Sequence, residues 1–270
     1  MYLSPKVITQ SFQTWAEREA CIKGYSEVCR VLLKNHVDKN PLDIVDRTPL
    51  HEAARKGKLE ACRVLLDNHV DKNPRDLGEW TPLHLAAFYG FSEVCSLLLK
   101  RQANKDPRNT IGRTPLHKAA SQGHLEVCKI LLENLADKNP VDNAGVTPLH
   151  ESALNGHSEV CKILLTNNAD KNPKDLSGWT PLHNAALTGY SDVCRMLLEN
   201  QVDKNPKTNG GKTPLEIACS RGFPVVVRIL LENQVDKNPR DQDGWTPLHD
   251  AASKGNSLMC MILLQVSRLE

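Results

Sequence analysis

The chain lacks any apolar run approaching the roughly 18 residues that a membrane helix requires, and its start, residues 1–15, holds no apolar stretch of the signal-peptide kind. Both absences point to a soluble protein that is neither secreted nor membrane-bound. An excess of one charge sign is also missing: charged residues make up 24% of the chain, yet the formal net charge is only +2. General polyanion binding held by counterion release is thereby excluded, so nucleic acid is not an expected partner and electrostatics must be read locally. No Ser/His/Asp order, phosphate-cradling glycine loop or paired carboxylates stand out, so no catalytic residue, cofactor or enzymatic activity is expected. Cysteine is present, nine times, but scattered along a chain long enough to build a core by other means.

What is there is a period. Thr-Pro-Leu begins at Thr48, Thr81, Thr114, Thr147, Thr180, Thr213 and Thr246, each 33 residues after the last. Gly24, Gly57, Gly90, Gly123, Gly156, Gly189, Gly222 and Gly255 keep the same phase, as do Cys29, Cys62, Cys95, Cys128, Cys161, Cys194 and Cys260. Threonine is a good N-cap, and proline suits the first helical position, where its missing N–H costs nothing. Thr-Pro-Leu therefore opens a short helix with Leu50, Ala53 and Ala54 on one face, and Gly57 ends it. A second helix follows, its Leu59, Cys62, Val64 and Leu65 apolar and its Glu60 and Arg63 polar. One such pair cannot bury its apolar surface, but a stack can. Between pairs runs a turn-forming stretch such as Asp71-Lys72-Asn73-Pro74-Arg75-Asp76. The expected organisation is a lead segment over 1–14, an array of about eight helix pairs over 15–268 with the first degenerate, and a possible cloning remnant at 269–270.

A 33-residue period carrying Gly-x-Thr-Pro-Leu-His-x-Ala-Ala-x-x-Gly resembles the ankyrin repeat family over nearly the whole chain. The resemblance implies an all-α solenoid of L-shaped units joined by hairpin fingers. It also implies a concave groove, lined by fingers and first helices, where a partner protein docks without catalysis. Three departures bear on local structure. His36, His69, Gln102, Leu135, Asn168, Gln201 and Gln234 stand where the family has glycine after the second helix, so the helix ends are expected to cost more or change form. Asp-Lys-Asn-Pro replaces Asp-Val-Asn-Ala, and its proline is expected to weaken pairing between fingers. Glu216 replaces the motif histidine, and Pro224 enters a second helix near its start.

The repeated histidines do not read as a metal site: packed helices lie roughly 8–10 Å apart, too far for equivalent residues to share one zinc. The same spacing exceeds the reach of about 7 Å between disulfide-bridged Cα atoms. The cysteines, Cys21 and Cys219 included, are therefore core residues in a reducing compartment, cytoplasmic or nuclear.

Specificity should lie where repeats differ while the frame stays fixed. The residue before each threonine runs Arg47, Trp80, Arg113, Val146, Trp179, Lys212 and Trp245. The two residues before the central glycine include Arg55-Lys56, Phe88-Tyr89, Leu154 and Leu187. Together these columns form an apolar middle flanked by basic residues, a composition common at binding hot spots. Tryptophan at Trp80, Trp179 and Trp245 also fits simple packing on its own finger. The function expected is a protein-binding scaffold or adaptor, a monomer or part of a longer array. A regulatory or targeting array of a larger enzyme and an engineered ankyrin-type binder are the alternatives. At the other end, Leu258 and Met261 occupy phases held by Glu126 and Lys129 earlier, so apolar groups should reach a normally wet face and a cap or further repeats would cover them.

Overall fold

The computed structural model describes residues 16, 19, 20, 22–35, 38–241 and 243–265. The lead segment, Trp15, Cys21, His36 and the remnant at 269–270 lie outside the described residues. All fifteen elements described are α-helices. They are α1 (Ser26–Lys34), α2 (Pro49–Arg55), α3 (Leu59–Asp67), α4 (Pro82–Tyr89), α5 (Ser92–Lys100), α6 (Pro115–Gln122) and α7 (Leu125–Glu133), followed by eight more. Those eight are α8 (Pro148–Leu154), α9 (Ser158–Thr166), α10 (Pro181–Thr188), α11 (Ser191–Glu199), α12 (Pro214–Arg221), α13 (Pro224–Glu232), α14 (Pro247–Ser253) and α15 (Ser257–Gln265).

The described residues up to 119, together with 126–137, form one compact unit, and residues 120–125 with the described residues from 138 onward form the other. Within the first unit α2 packs on α3 and α4, while α3 packs on α1 and α5. Within the second, first helices α8, α10, α12 and α14 pack in series, and second helices α9, α11, α13 and α15 pack in a parallel series. Alanine makes the first series possible: Ala53, Ala54, Ala86, Ala185 and Ala186 are fully buried, leaving almost nothing between helix backbones. Leu50, Leu65, Leu83 and Leu98 fill the space between layers in the first unit, as Leu164, Leu182, Leu197 and Leu230 do in the second.

Each first helix starts with the same device. Thr81 sits at N-cap in extended conformation, accepts from the backbone N–H of His84, and is followed by proline at N1. The Thr81 N–H in turn donates to His84 Nδ1 at 3.1 Å, closing a capping box in which histidine does the work usually given to glutamate. Glu216 fills that role in α12, its Oε2 accepting from Thr213 N–H at 2.7 Å. Pro224 occupies the first turn of α13 without breaking it.

Of the two expectations for the ends of the second helices, higher cost or changed form, the change of form does not occur. His69, Gln102, Leu135, Asn168, Gln201 and Gln234 all take φ between 59° and 61°, so the left-handed turn survives without glycine. Closing backbone bonds follow at 3.0 Å in three repeats, from Ala103, Ala136 and Ala169 N–H to Leu98, Leu131 and Leu164 O. The central glycine has two reasons to be glycine. Gly57 has φ of +66°, and a Cβ there would lie 2.5 Å from the ring of Phe91 in the next repeat. Gly189 meets Phe223 in the same way, at 2.7 Å.

The Asp-Lys-Asn-Pro stretch does more than turn. Asp71 Oδ1 accepts from Asn73 N–H at 2.9 Å, Asn73 Oδ1 accepts from Asn104 N–H of the following repeat at 2.8 Å, and Lys72 Nζ donates to the Arg101 carbonyl at 3.0 Å. The aspartate shapes the turn, the asparagine bridges to the next turn, and the lysine caps the next second helix. In the second unit the rungs are Asn139 to Asp170, Asn172 to Asp203 and Asn205 to Asp236, at 2.7 to 2.8 Å. Fingers are also joined at their tips through backbone amides, Leu77 N–H to Val45 O and Thr110 N–H to Gly78 O, each at 3.1 Å. Proline removes one backbone donor, and side chains supply the linkage instead.

Candidate functional site

The finger hairpins fix the residues that precede each threonine. Asp76 Oδ1 accepts from the N–H groups of Gly78 and Trp80, both at 2.9 Å, while its own N–H donates to Trp80 O at 3.0 Å. Asp43, Asn109, Asp142, Asp175 and Asp241 repeat this in their own fingers. The motif histidine then ties finger to helix across the repeat boundary. Nδ1 of His51 accepts from Thr48 N–H at 3.0 Å, leaving the ring proton on Nε2, which donates to Trp80 O at 2.9 Å. His84 does the same toward Arg113 O, His150 toward Trp179 O and His183 toward Lys212 O. With both nitrogens engaged, these histidines have no lone pair to give a metal. Burial pushes their pKa below the usual value, to about 4 for His84 and His183. Glu216 turns its carboxyl back onto Thr213, accepting from the N–H at 2.7 Å and from Oγ1 at 2.8 Å, in place of a bond to a carbonyl across the next boundary.

In the first unit, Arg47, Trp80, Phe88 and Tyr89 come together around an open cavity of about 330 Å³, with Val45, Leu77 and Leu85 in its walls. The rings contact one another in sequence. Trp80 meets Phe88 edge-on at 5.7 Å, Phe88 meets Tyr89 edge-on at 5.0 Å, and Tyr89 stacks on Phe91 at 6.4 Å. Lys118 places Nζ 4.2 Å from the Trp80 ring centre, a cation–π contact. Arg55 grips Glu52 through two nitrogens, at 2.7 Å from Nη2 and 3.1 Å from Nε. Its pKa is raised by that bond first, with the neighbouring Tyr89 hydroxyl adding to the rise. Arg47 reaches Asp76 at 3.4 Å and Glu52 at 3.6 Å. Lys56 is exposed at the end of α2, and Arg113 is half-buried in the next finger.

The second unit spreads its predicted residues more thinly. Trp179 and Trp245 lean on the motif histidines of their own repeats, at 5.7 Å from His183 and 6.0 Å from His249, which is the packing role already recognised for this column. Val146 and Leu187 are half-buried and Leu154 is exposed. Lys212 and Trp245 line a small recess of about 40 Å³ beside Asp241 and Asp250.

Sequence reasoning missed one column. The residue after the motif histidine runs Glu52, Leu85, Lys118, Glu151, Asn184, Ile217 and Asp250, and in the first unit it supplies the anchor for both arginines, a cavity wall and the cation over Trp80. It varies within the fixed frame and so carried the same signal as the chosen columns. Also missed were the fingertips, where Ile44 is 97% and Leu77 64% exposed.

The family model for ankyrin repeats (3 copies) matches residues 18–109, 68–142, 101–175, 135–208 and 201–268, overlapping blocks that leave little of the chain outside them. The chain belongs to the ankyrin repeat family. The crystal structure of the human ASB11 ankyrin repeat domain is similar, with a TM-score of 0.73 and 28% identity over 82% of this chain and 98% of that one. No curated protein sequence matches. Ankyrin repeats are generally protein-interaction modules, typically without catalysis of their own, and among the described residues of this one no helix is long and apolar enough to cross a membrane.

Proposed function

We propose that this ankyrin array is a scaffold or adaptor that holds a partner protein, with its principal contact in the first unit at Trp80, Phe88 and Tyr89. One observation carries this reading: an open cavity of about 330 Å³ walled by aromatic and aliphatic side chains, with Tyr89 still 44% exposed. A structural aromatic cluster would close on itself, whereas this one keeps apolar surface in water at a cost of roughly 25 cal/mol per Å². Around it, Arg47, Arg55, Lys56 and Arg113 give the charged surround that sets orientation and on-rate. In the second unit Val146, Leu154, Trp179, Leu187, Lys212 and Trp245 are secondary contacts, of which Leu154 and Trp245 offer the most surface.

The test is affinity capture from native lysate with matched variants. Proteins retained by the wild-type chain should be lost with Phe88→Ala and Tyr89→Ala, and kept with Glu126→Ala and Lys129→Ala on α7. Retention that follows the α7 changes instead would move the functional surface to the second helices.

A further inference from the structure

Given that reading of the first unit, we infer that the segment it binds is an acidic peptide that seats one large apolar side chain in the finger cavity and sets carboxylates against the basic rim.

The interior of the cavity settles the first half. Val45, Leu77, Trp80, Leu85, Phe88 and Tyr89 present carbon, and the two charged residues in the wall, Arg47 and Asp76, are paired to each other at 3.4 Å. A polar or charged side chain entering there would be desolvated without a partner, while a leucine, phenylalanine or tryptophan would gain contact on several sides. The fingertips extend the same chemistry outward, since Ile44 and Leu77 stand 97% and 64% exposed beside the opening.

Charge settles the second half. The acids of the site face inward: the side chains of Glu52 and Asp76 are only 5% and 7% exposed. The bases face outward, with the side chains of Arg55 and Arg47 at 25% and 30%, and Lys56 exposed beyond them. Lys118, whose ammonium lies over Trp80, is itself buried at 7% exposure, so the positive charge open to solvent is that of Arg47, Arg55 and Lys56. A solvent-side visitor therefore meets cations beside an apolar opening, although the whole chain is nearly neutral at +2. Carboxylates would be attracted and guanidinium-oriented there, whereas lysine or arginine would be repelled.

A library of random 12-residue peptides displayed on phage and selected against the full chain provides the test, with enriched sequences resynthesised with blocked termini and titrated. Enriched peptides should place Asp or Glu close to a Leu, Phe or Trp. Tyr89→Ala should weaken them at least 10-fold. Lys56→Glu, which leaves the paired arginines intact, should weaken them several-fold at low salt and much less at 0.5 M. Both variants should keep the wild-type melting temperature. Peptides sensitive to Tyr89→Ala yet rich in Lys or Arg, or indifferent to Lys56→Glu and to salt, would overturn the acidic partner and leave the site standing. Peptides indifferent to Tyr89→Ala would remove the site itself, and a selection with no enrichment over bare support would count against a peptide occupant.

Discussion

At the scale of single residues the motif histidine governs how the array responds to acid. His84 and His183 are held neutral by burial, with folded pKa values of about 4 against the ordinary 6.5, and His51 and His150 are shifted in the same direction. Between pH 6.5 and 4 the unfolded chain binds protons that the folded chain refuses. The stabilisation is therefore complete above pH 6.5 and is lost as pH falls through about 4, on the order of 3 kcal/mol for each of these two histidines. Protonation would also convert Nδ1 from acceptor to donor, leaving it facing a Thr N–H that is itself a donor. Urea titrations at pH 7.5 and 5.5 should show the midpoint already falling while ordinary carboxylates are still mostly ionised. Glu216 offers the complementary test: Glu216→His should restore a bond to the Trp245 carbonyl and raise stability by about 1 kcal/mol. The left-handed positions give a third. Leu135 has φ of 60° with its side chain 78% exposed, so Leu135→Gly should stabilise by up to about 1 kcal/mol, read as a higher denaturation midpoint.

At the scale of elements, helix positions were legible because Thr-Pro-Leu-His and the central glycine each mark a backbone event, a cap and a left-handed turn. The cysteine column was legible for the same reason, since Cys62, Cys95, Cys128 and Cys161 are fully buried where the apolar phase falls. Burial pushes Cys62, Cys161 and Cys194 up to about 12, so disulfide reagents should label few thiols before denaturation and about nine after it. The ladder of Asp-Lys-Asn-Pro was not legible. Its residues are ordinary turn formers, and the partners of Asn73 and Lys72 lie 31 and 29 residues on, reachable only once the repeats stack. In the third copy asparagine and aspartate exchange places as Asn104 and Asp106, and the rung persists because an amide N–H donates to either oxygen, Asp137 N–H to Asp106 at 3.0 Å. The phenylalanine over Gly57 was hidden likewise, since nothing in one repeat says what lies above its glycine.

At the scale of the whole molecule, the predicted residues divide between a knit cluster in the first unit and scattered contacts in the second, a difference no column of letters displays. Sequence alone recognised that the columns vary; what it lacked was the buried pair Glu52 and Asp76, which turns the arginines into an outward-facing rim. The exposed apolar face was foreseen better: Leu258 and Met261 are 50% and 51% exposed, with Val225 of α13 in the same phase at 59%. The central claim is that binding and folding use different surfaces of one array. It is tested most directly by measuring, on Tyr89→Ala and Leu83→Ala, both the melting temperature and affinity for a captured partner. Tyr89→Ala should leave the melting temperature within a degree or two of wild type while costing about 2 kcal/mol of binding. Leu83→Ala, which opens a cavity in the core, should cost roughly 2–5 kcal/mol of stability while binding, measured well below its melting point, stays near wild type. A Tyr89→Ala variant that melts early and binds normally would contradict the account.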